Sequence, residues 1–177
     1  MMKTFLAAGV LAATAAGADW SAPVEVRHDD QRCVTYRARA AGGYLSVEAV
    51  HDEGWHTYAF DNRVRALEKL AGRQSTGIDR PTELKVSGVE LDGPWHQSAP
   101  KDASKPELLW FTWVFSGRAV FMAKLKGSAA GPVRISIRGQ ACTESTCKEI
   151  NATLEVPAPD AGSGAPPAEW SGLIPVR

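Results

Sequence analysis

Two cysteines separated by four residues, Cys142 and Cys147 in the stretch QACTESTC, are the residues of this chain best suited to do chemistry. A pair at this spacing can be a structural disulfide, a disulfide that exchanges with other thiols, or part of a metal site. The metal alternative has the weakest support, because there is no C-x-x-C motif and the histidines are scattered, at His28, His51, His56 and His96. We therefore expect no metal and no other cofactor, while a structural and an exchanging disulfide both remain open.

The sequence on either side of the pair predicts two neighbouring strands. Before it, Val133, Ile135 and Ile137 alternate with polar residues, and residues 150–156 alternate in the same way after it. The cysteines then lie where the two strands connect. Closing so small a loop stabilises the fold by only about 2 kcal/mol, whereas a bridge at a hairpin end is open to an incoming thiolate, which exchange requires.

Charged residues surround the pair with mixed sign. Lys148, next to Cys147, favours a thiolate there and lowers its pKa, while Glu144 and Glu149 oppose that effect. The sequence leaves the balance between them open.

The first residues predict that the protein is exported. Lys3, an apolar run over residues 5–16 and the small residues that follow it are typical of a signal peptide spanning residues 1–18. An uncleaved membrane anchor is the alternative, although the run is short for a bilayer span. Outside the cytosol Cys142 and Cys147 form a disulfide by default. Cys33 is then the odd cysteine, and we expect it to be a small buried residue of a strand.

Size and composition limit the classes of partner. The 177 residues suit one domain, and the contents of 44% hydrophobic and 23% charged residues are those of a globular protein. The formal net charge of zero gives no electrostatic reason to expect nucleic acid or an anionic membrane as partner. No small-molecule substrate is evident either, so we expect protein partners.

Short alternating runs separated by turn residues follow the leader, and this pattern predicts an all-β sandwich or barrel. Residues 33–40 and 44–51, joined across a glycine turn, predict a hairpin. One segment differs: residues 61–72 place apolar side chains at helical spacing, with Asp61 or Asn62 as N-terminal cap, and predict one short helix.

Two further stretches carry weaker expectations. Residues 108–115, LLWFTWVF, are the most apolar part of the chain after the leader and predict a buried strand or an apolar flap over a site. Residues 158–177 are rich in Pro, Ala and Gly and predict a flexible or extended tail. Three of its residues have side chains suited to docking on the domain: Trp170, Leu173 and Ile174.

Four stretches of this sequence, in this order, resemble the N-terminal periplasmic domain of the thiol:disulfide interchange protein DsbD. They are EGWHTYAFDN (53–62), DRPTELKVSGVEL (79–91), GPWHQSAP (93–100) and RGQACTESTCKE (138–149). The similarity covers roughly residues 20–157, and the stretch that contains the cysteines is its most specific part.

The resemblance implies an immunoglobulin-like β-sandwich, with one short inserted helix here, whose cysteine pair passes electrons between a membrane donor and exported thioredoxin-like proteins. It assigns Cys142 and Cys147 as the redox pair and Cys147 as the cysteine that forms the mixed disulfide. Tyr58 matches an aromatic position near the pair. The resemblance also implies a segment between Trp95 and Trp113 that shields the cysteines, with Trp110 and Phe111 as candidates for the shield.

Together with the leader and the tail described above, the resemblance divides the chain into a signal peptide (1–18), a β-sandwich domain (19–157) and a tail (158–177). Because the sequence carries no transmembrane domain after the sandwich, we expect the electron donor to be a separate chain in the membrane. Whether the exchange is that of a protein-disulfide reductase stays open. The alternative is a non-catalytic, exported β-sandwich that binds a partner and keeps the disulfide as a structural clip.

Overall fold

The structure, a computed structural model, describes residues 20–77, 80–159 and 164–177. The predicted signal peptide lies outside these residues. In the described part of the chain the strands are β1 (Val24–His28), β2 (Gln31–Ala41), β3 (Tyr44–His51), β4 (His56–Tyr58), β5 (Glu83–Ser87), β6 (Glu90–Leu91), β7 (His96–Gln97), β8 (Lys101–Asp102), β9 (Trp113–Phe115), β10 (Arg118–Lys126), β11 (Val133–Cys142), β12 (Cys147–Val156) and β13 (Ile174–Pro175). One α-helix, α1 (Asn62–Lys69), and two 3₁₀ turns, Pro106–Leu108 and Ala168–Gly172, complete these elements.

The strands form two antiparallel sheets. The first has the order β1-β2-β3-β10-β7-β13, with β6 also on β10; the second has the order β12-β11-β4-β9-β8, with β5 also on β11. Inward side chains of both sheets form one core, in which Tyr36 and Phe121 of the first sheet meet Ile135, Ile137 and Leu154 of the second. The predicted all-β sandwich with one short helix is therefore confirmed.

The predicted hairpin over residues 33–51 is present as β2 and β3. The two strands pair from Val34 opposite His51 to Ala41 opposite Tyr44. Gly42 and Gly43 form the two-residue turn with φ of 59° and 83°, the left-handed region that such a turn requires and that glycine adopts without strain.

The most apolar run, residues 108–115, is only partly a strand. Trp113–Phe115 is β9, but the residues before it form a turn that begins at the 3₁₀ segment of Pro106. Proline fixes φ at the start of this turn, and Leu109 takes a left-handed φ of 53° at its end. As a result Leu108 and Leu109 are 55% and 51% exposed rather than buried.

The second half of the predicted tail, which the structure describes, is docked on the domain rather than free. The ring of Trp170 lies 5.0 Å from that of Tyr44 and 4.2 Å from that of His96. Leu173 packs on the same small cluster, and β13 pairs with β7. Residues 168–175 thus cover the outer face of the first sheet. Burial of their apolar side chains stabilises this docking, although the composition of the tail predicts flexibility.

The predicted helix is present as α1, and Asp61 is its N-cap residue, at the expected start. Asp61 makes no side-chain cap; its buried carboxylate instead accepts hydrogen bonds from Arg65 and Gln97. Ala66 is buried within the helix while Val64 is 40% exposed. Among the described residues, no helix is both long and apolar enough to cross a bilayer.

Candidate functional site

The two cysteines lie opposite each other at the end of one hairpin. Cys142 is the last residue of β11, Cys147 is the first of β12, and the two are register partners joined by a disulfide, with their Cα atoms 4.1 Å apart. Nine further residue pairs continue this ladder to Val133 and Val156. The long ladder holds the hairpin together by its own hydrogen bonds.

The loop between the cysteines is also closed without the bridge. The backbone N–H of Thr143 donates to the carbonyl oxygen of Thr146 at 2.8 Å. The Thr143 hydroxyl in turn accepts hydrogen bonds from the backbone N–H groups of Ser145 and Thr146, each at 3.2 Å. A side chain that satisfies two loop donors fixes the turn. The disulfide adds little that the hairpin lacks.

The two sulfur-bearing residues differ in exposure. Cys142 is 1% exposed and packs in a small cluster with Tyr58 and Val114, whereas Cys147 is exposed. Cys147 also lies on β12, an edge strand of its sheet. An approaching thiolate therefore reaches the Cys147 sulfur first. Attack there breaks the bridge and releases Cys142 as a thiolate.

His56 lies next to the disulfide, although from the sequence it was expected to be an ordinary polar residue. It is the register partner of Cys142 across β4 and β11. Its ring meets that of Tyr58 edge to face at 5.4 Å, and its Nε2 lies 3.4 Å from the Tyr58 hydroxyl oxygen. Only the pairing of β4 with β11 reveals this position, since His56 is distant from the cysteines in sequence.

The aromatic residues implied by the resemblance separate into two places. Tyr58 contacts Cys142, as described above. Phe111 packs on the main core, and Trp110 pairs with Lys105 across the turn that links β8 to β9. Because β9 runs antiparallel to β4, with Val114 opposite Tyr58, that turn extends from the end of the sheet away from the disulfide. The backbone register thus separates Trp110 and Phe111 from the cysteines.

The charges beside the pair also have defined directions. Along β12, Lys148 lies on the same side of the strand as the inward-facing Ile150 and on the opposite side from Cys147. The positive charge of Lys148 favours a lower pKa of Cys33. Glu149 shares the face of Cys147, but its carboxylate is bound by Arg80 at 3.0 Å. The opposing electrostatic effects of Lys148 and Glu149 on Cys147 are therefore both weaker than the sequence indicates.

Cys33 is a buried free thiol, as predicted. It is fully buried in β2, and its sulfur donates to the carbonyl oxygen of Gln31 at 3.9 Å. Burial raises the pKa of this thiol, despite the opposing effect of nearby Lys148, so it stays protonated and unreactive near neutral pH.

The described residues contain no group of three or more His, Cys, Asp or Glu side chains arranged to hold a metal ion. His51, for example, is buried and bonded to the Gly117 carbonyl and the Thr57 hydroxyl. Its pKa is lowered, chiefly by burial, as for a neutral histidine of the core.

The similarity of this chain to known proteins lies among solved structures. No protein-family model matches the chain, and no curated protein matches it. Among solved structures, the crystal structure of the Neisseria meningitidis DsbD N-terminal domain in the reduced form is similar to this chain with a TM-score of 0.49 and 14% sequence identity. The match covers 73% of this chain and 87% of that one.

Proposed function

We propose that this protein is a thiol–disulfide exchange module that acts outside the cytosol through Cys142 and Cys147. The observation that carries the proposal is the contrast in burial between the two cysteines, with Cys142 only 1% exposed against an exposed Cys147. A bridge that served only stability gains nothing from one open sulfur, whereas exchange requires access to one sulfur and a protected second thiol.

The reaction balances as a two-electron transfer. The Cys147 thiolate of the reduced protein attacks a sulfur of the partner's disulfide, that bond breaks, and the released partner thiolate takes up a proton. The Cys142 thiolate then attacks Cys147, which breaks the mixed disulfide and frees the second partner thiol. The partner is reduced, the Cys142–Cys147 disulfide is restored, and a dithiol donor must reduce it again.

The surroundings of Cys142 support its role as the second, protected thiol. Its burial keeps outside thiols away from it until a partner is bound at Cys147. His56, its register partner, and Tyr58, which packs on it, are polar side chains beside Cys142 that can orient its sulfur. In this proposal His56 and Tyr58 act as positioning residues for Cys142.

The partners follow from the resemblance of residues 138–149 and the other matching stretches. We propose that the acceptors are exported thioredoxin-like proteins, that the donor is a separate membrane protein, and that the protein works in the periplasm after loss of residues 1–18. We propose that Tyr58 and Val114, which pack on Cys142, shield the pair in place of Trp110 and Phe111.

The reduction potential of the pair separates this proposal from a structural clip. We expect the disulfide, equilibrated in graded thiol buffers and followed by thiol trapping and mass spectrometry, to have a potential between about −120 and −270 mV, the range of exchanging pairs. A potential below about −300 mV contradicts the proposal and supports the non-catalytic binding module instead.

A further inference from the structure

A cavity of about 860 Å³ opens on the same face of the second sheet as the disulfide. Its walls are the helix α1, the residues that follow the helix, the first residue of β5 and the outer face of β11 and β12. Gly139 makes this arrangement possible: a Cβ at this position would lie 3.0 Å from the carbonyl oxygen of Pro81, so any larger residue would push away the segment that enters β5.

The cavity adjoins the disulfide along the strands. Glu149, in its wall, follows Cys147 by two residues and shares its side-chain direction; Arg138 precedes Cys142 by four residues on the same face. At about 3.3 Å per strand residue, these positions lie roughly 7 and 13 Å from the cysteine pair. A protein segment bound at Cys147 therefore reaches the cavity within three or four residues.

Among the described residues that line the cavity, three arginines outnumber two glutamates, and only one of the arginines is ion-paired. Arg63, Arg80 and Arg138 line it together with Glu83 and Glu149. Arg80 is bound to Glu149, but in the described parts of the chain neither Arg63 nor Arg138 forms an ion pair. Two such guanidinium groups at one cavity attract a carboxylate, which arginine binds through two parallel hydrogen bonds.

Apolar side chains form part of the remaining wall, together with the polar residues Asn62, Gln74 and Ser75. The rings of Phe60 and Phe111 and the side chains of Ala66 and Leu67 line the cavity. The cavity is larger than a small inorganic ion needs, and its apolar side chains suit an amino-acid side chain next to the carboxylate. The two glutamates also argue against nucleic acid or an anionic membrane as the occupant.

We propose that this cavity binds the redox partner itself, as an extended segment that carries an acidic and an apolar side chain three or four residues from the partner's reactive cysteine. The inference rests on the proposed function and names the feature of the partner that the site selects. It also gives a role to α1, whose Arg63, Ala66 and Leu67 form one side of the site.

Cysteine peptides test this selection. The probes are two peptides that differ only in Glu-Leu or Lys-Leu four residues from the cysteine, and the small thiol dithiothreitol reports the intrinsic reactivity of the bridge. We expect the oxidised protein to be reduced roughly tenfold faster by the Glu peptide, and this preference to weaken as salt screens the charges. The Arg63→Gln/Arg138→Gln variant should lose it and keep its rate with dithiothreitol.

Arg134→Gln is the matched control, since Arg134 lies on the same face of β11, is bound to Glu155 and does not line the cavity. It should keep the preference. Equal rates with the two peptides, or a preference that survives in the double variant, overturn the docking proposal.

A binding measurement separates this inference from the proposed function. Serine versions of the two peptides cannot exchange, so calorimetry reports docking alone. Stronger binding of the Glu peptide, lost in the double variant, supports the site even if the disulfide proves too stable to exchange. Equal binding of both serine peptides contradicts the site even if the disulfide exchanges readily.

Discussion

Replacing Cys147 with serine is expected to abolish electron transfer from the reduced protein to an oxidised thioredoxin, a loss on the order of a hundredfold or more. Cys147 is the exposed member of the pair, while Cys142 lies buried under Tyr58 and Val114. The remaining Cys142 thiol cannot reach a partner disulfide without local opening. The measurement is the single-turnover rate at which the reduced protein loses thiols after mixing.

Cys142→Ser and Cys33→Ser are the matched controls for this loss. Cys142→Ser removes the same bridge, which contributes about 2 kcal/mol to stability, but leaves Cys147 able to attack. Cys33→Ser should transfer electrons at the normal rate, because Cys33 is buried and outside the bridge. Transfer by folded Cys147→Ser at a rate near that of the unchanged protein contradicts the assignment.

Replacing Asp61 with asparagine is expected to lower the free energy of unfolding by about 3 kcal/mol or more. The carboxylate of Asp61 is buried and accepts hydrogen bonds from Arg65 and Gln97, and from the backbone N–H of Arg177. The Arg65 side chain is itself only 12% exposed. Loss of the negative charge leaves that guanidinium buried without its counter-ion, which costs more than the pair contributes.

Thermal and denaturant unfolding measure this effect, with Glu155→Gln as control. Glu155 pairs with Arg134, but both side chains are more than half exposed, at 52% and 69%, and such a pair contributes less than about 1 kcal/mol. Equal stability of the two variants contradicts the role given to Asp61.

The pH dependence gives a second check on Asp61. Burial alone would raise the pKa of Asp61, but hydrogen bonds from Arg65 and Gln97 outweigh it and lower the pKa below its ordinary value of 3.8. A lowered pKa means that the stabilisation is complete above that value and is lost as pH falls through the lower pKa of the folded state. The difference between Asp61→Asn and the unchanged protein should therefore shrink only in strong acid.

The elements of this fold are those that local patterns predict well. Val133, Ile137 and Leu154 alternate with polar residues, and all three are buried in the core. The same alternation predicts that the cysteines lie at the junction of two strands, which is where β11 ends and β12 begins. Helical spacing predicts α1 for the same reason, since each pattern depends only on near neighbours in sequence.

The parts that sequence did not predict depend on pairing between distant segments. His56 lies beside Cys142 only because β4 pairs with the end of β11. Trp110 is directed away from the pair by the strand order β4-β9-β8, which no local pattern contains. The cavity needs α1 and β11 to approach each other, and Gly139 alone gave no sign of that approach. Such features require the register of the whole sheet.

Trapping a mixed disulfide tests the central claim most directly. The full chain carrying Cys142→Ser, reduced and mixed with a thioredoxin in its disulfide form, should form a one-to-one covalent adduct through Cys147, identified by mass spectrometry after acid quenching. The Cys147→Ser chain treated in the same way should form none. No adduct with folded Cys142→Ser, or an adduct through Cys33 instead, contradicts exchange at Cys147.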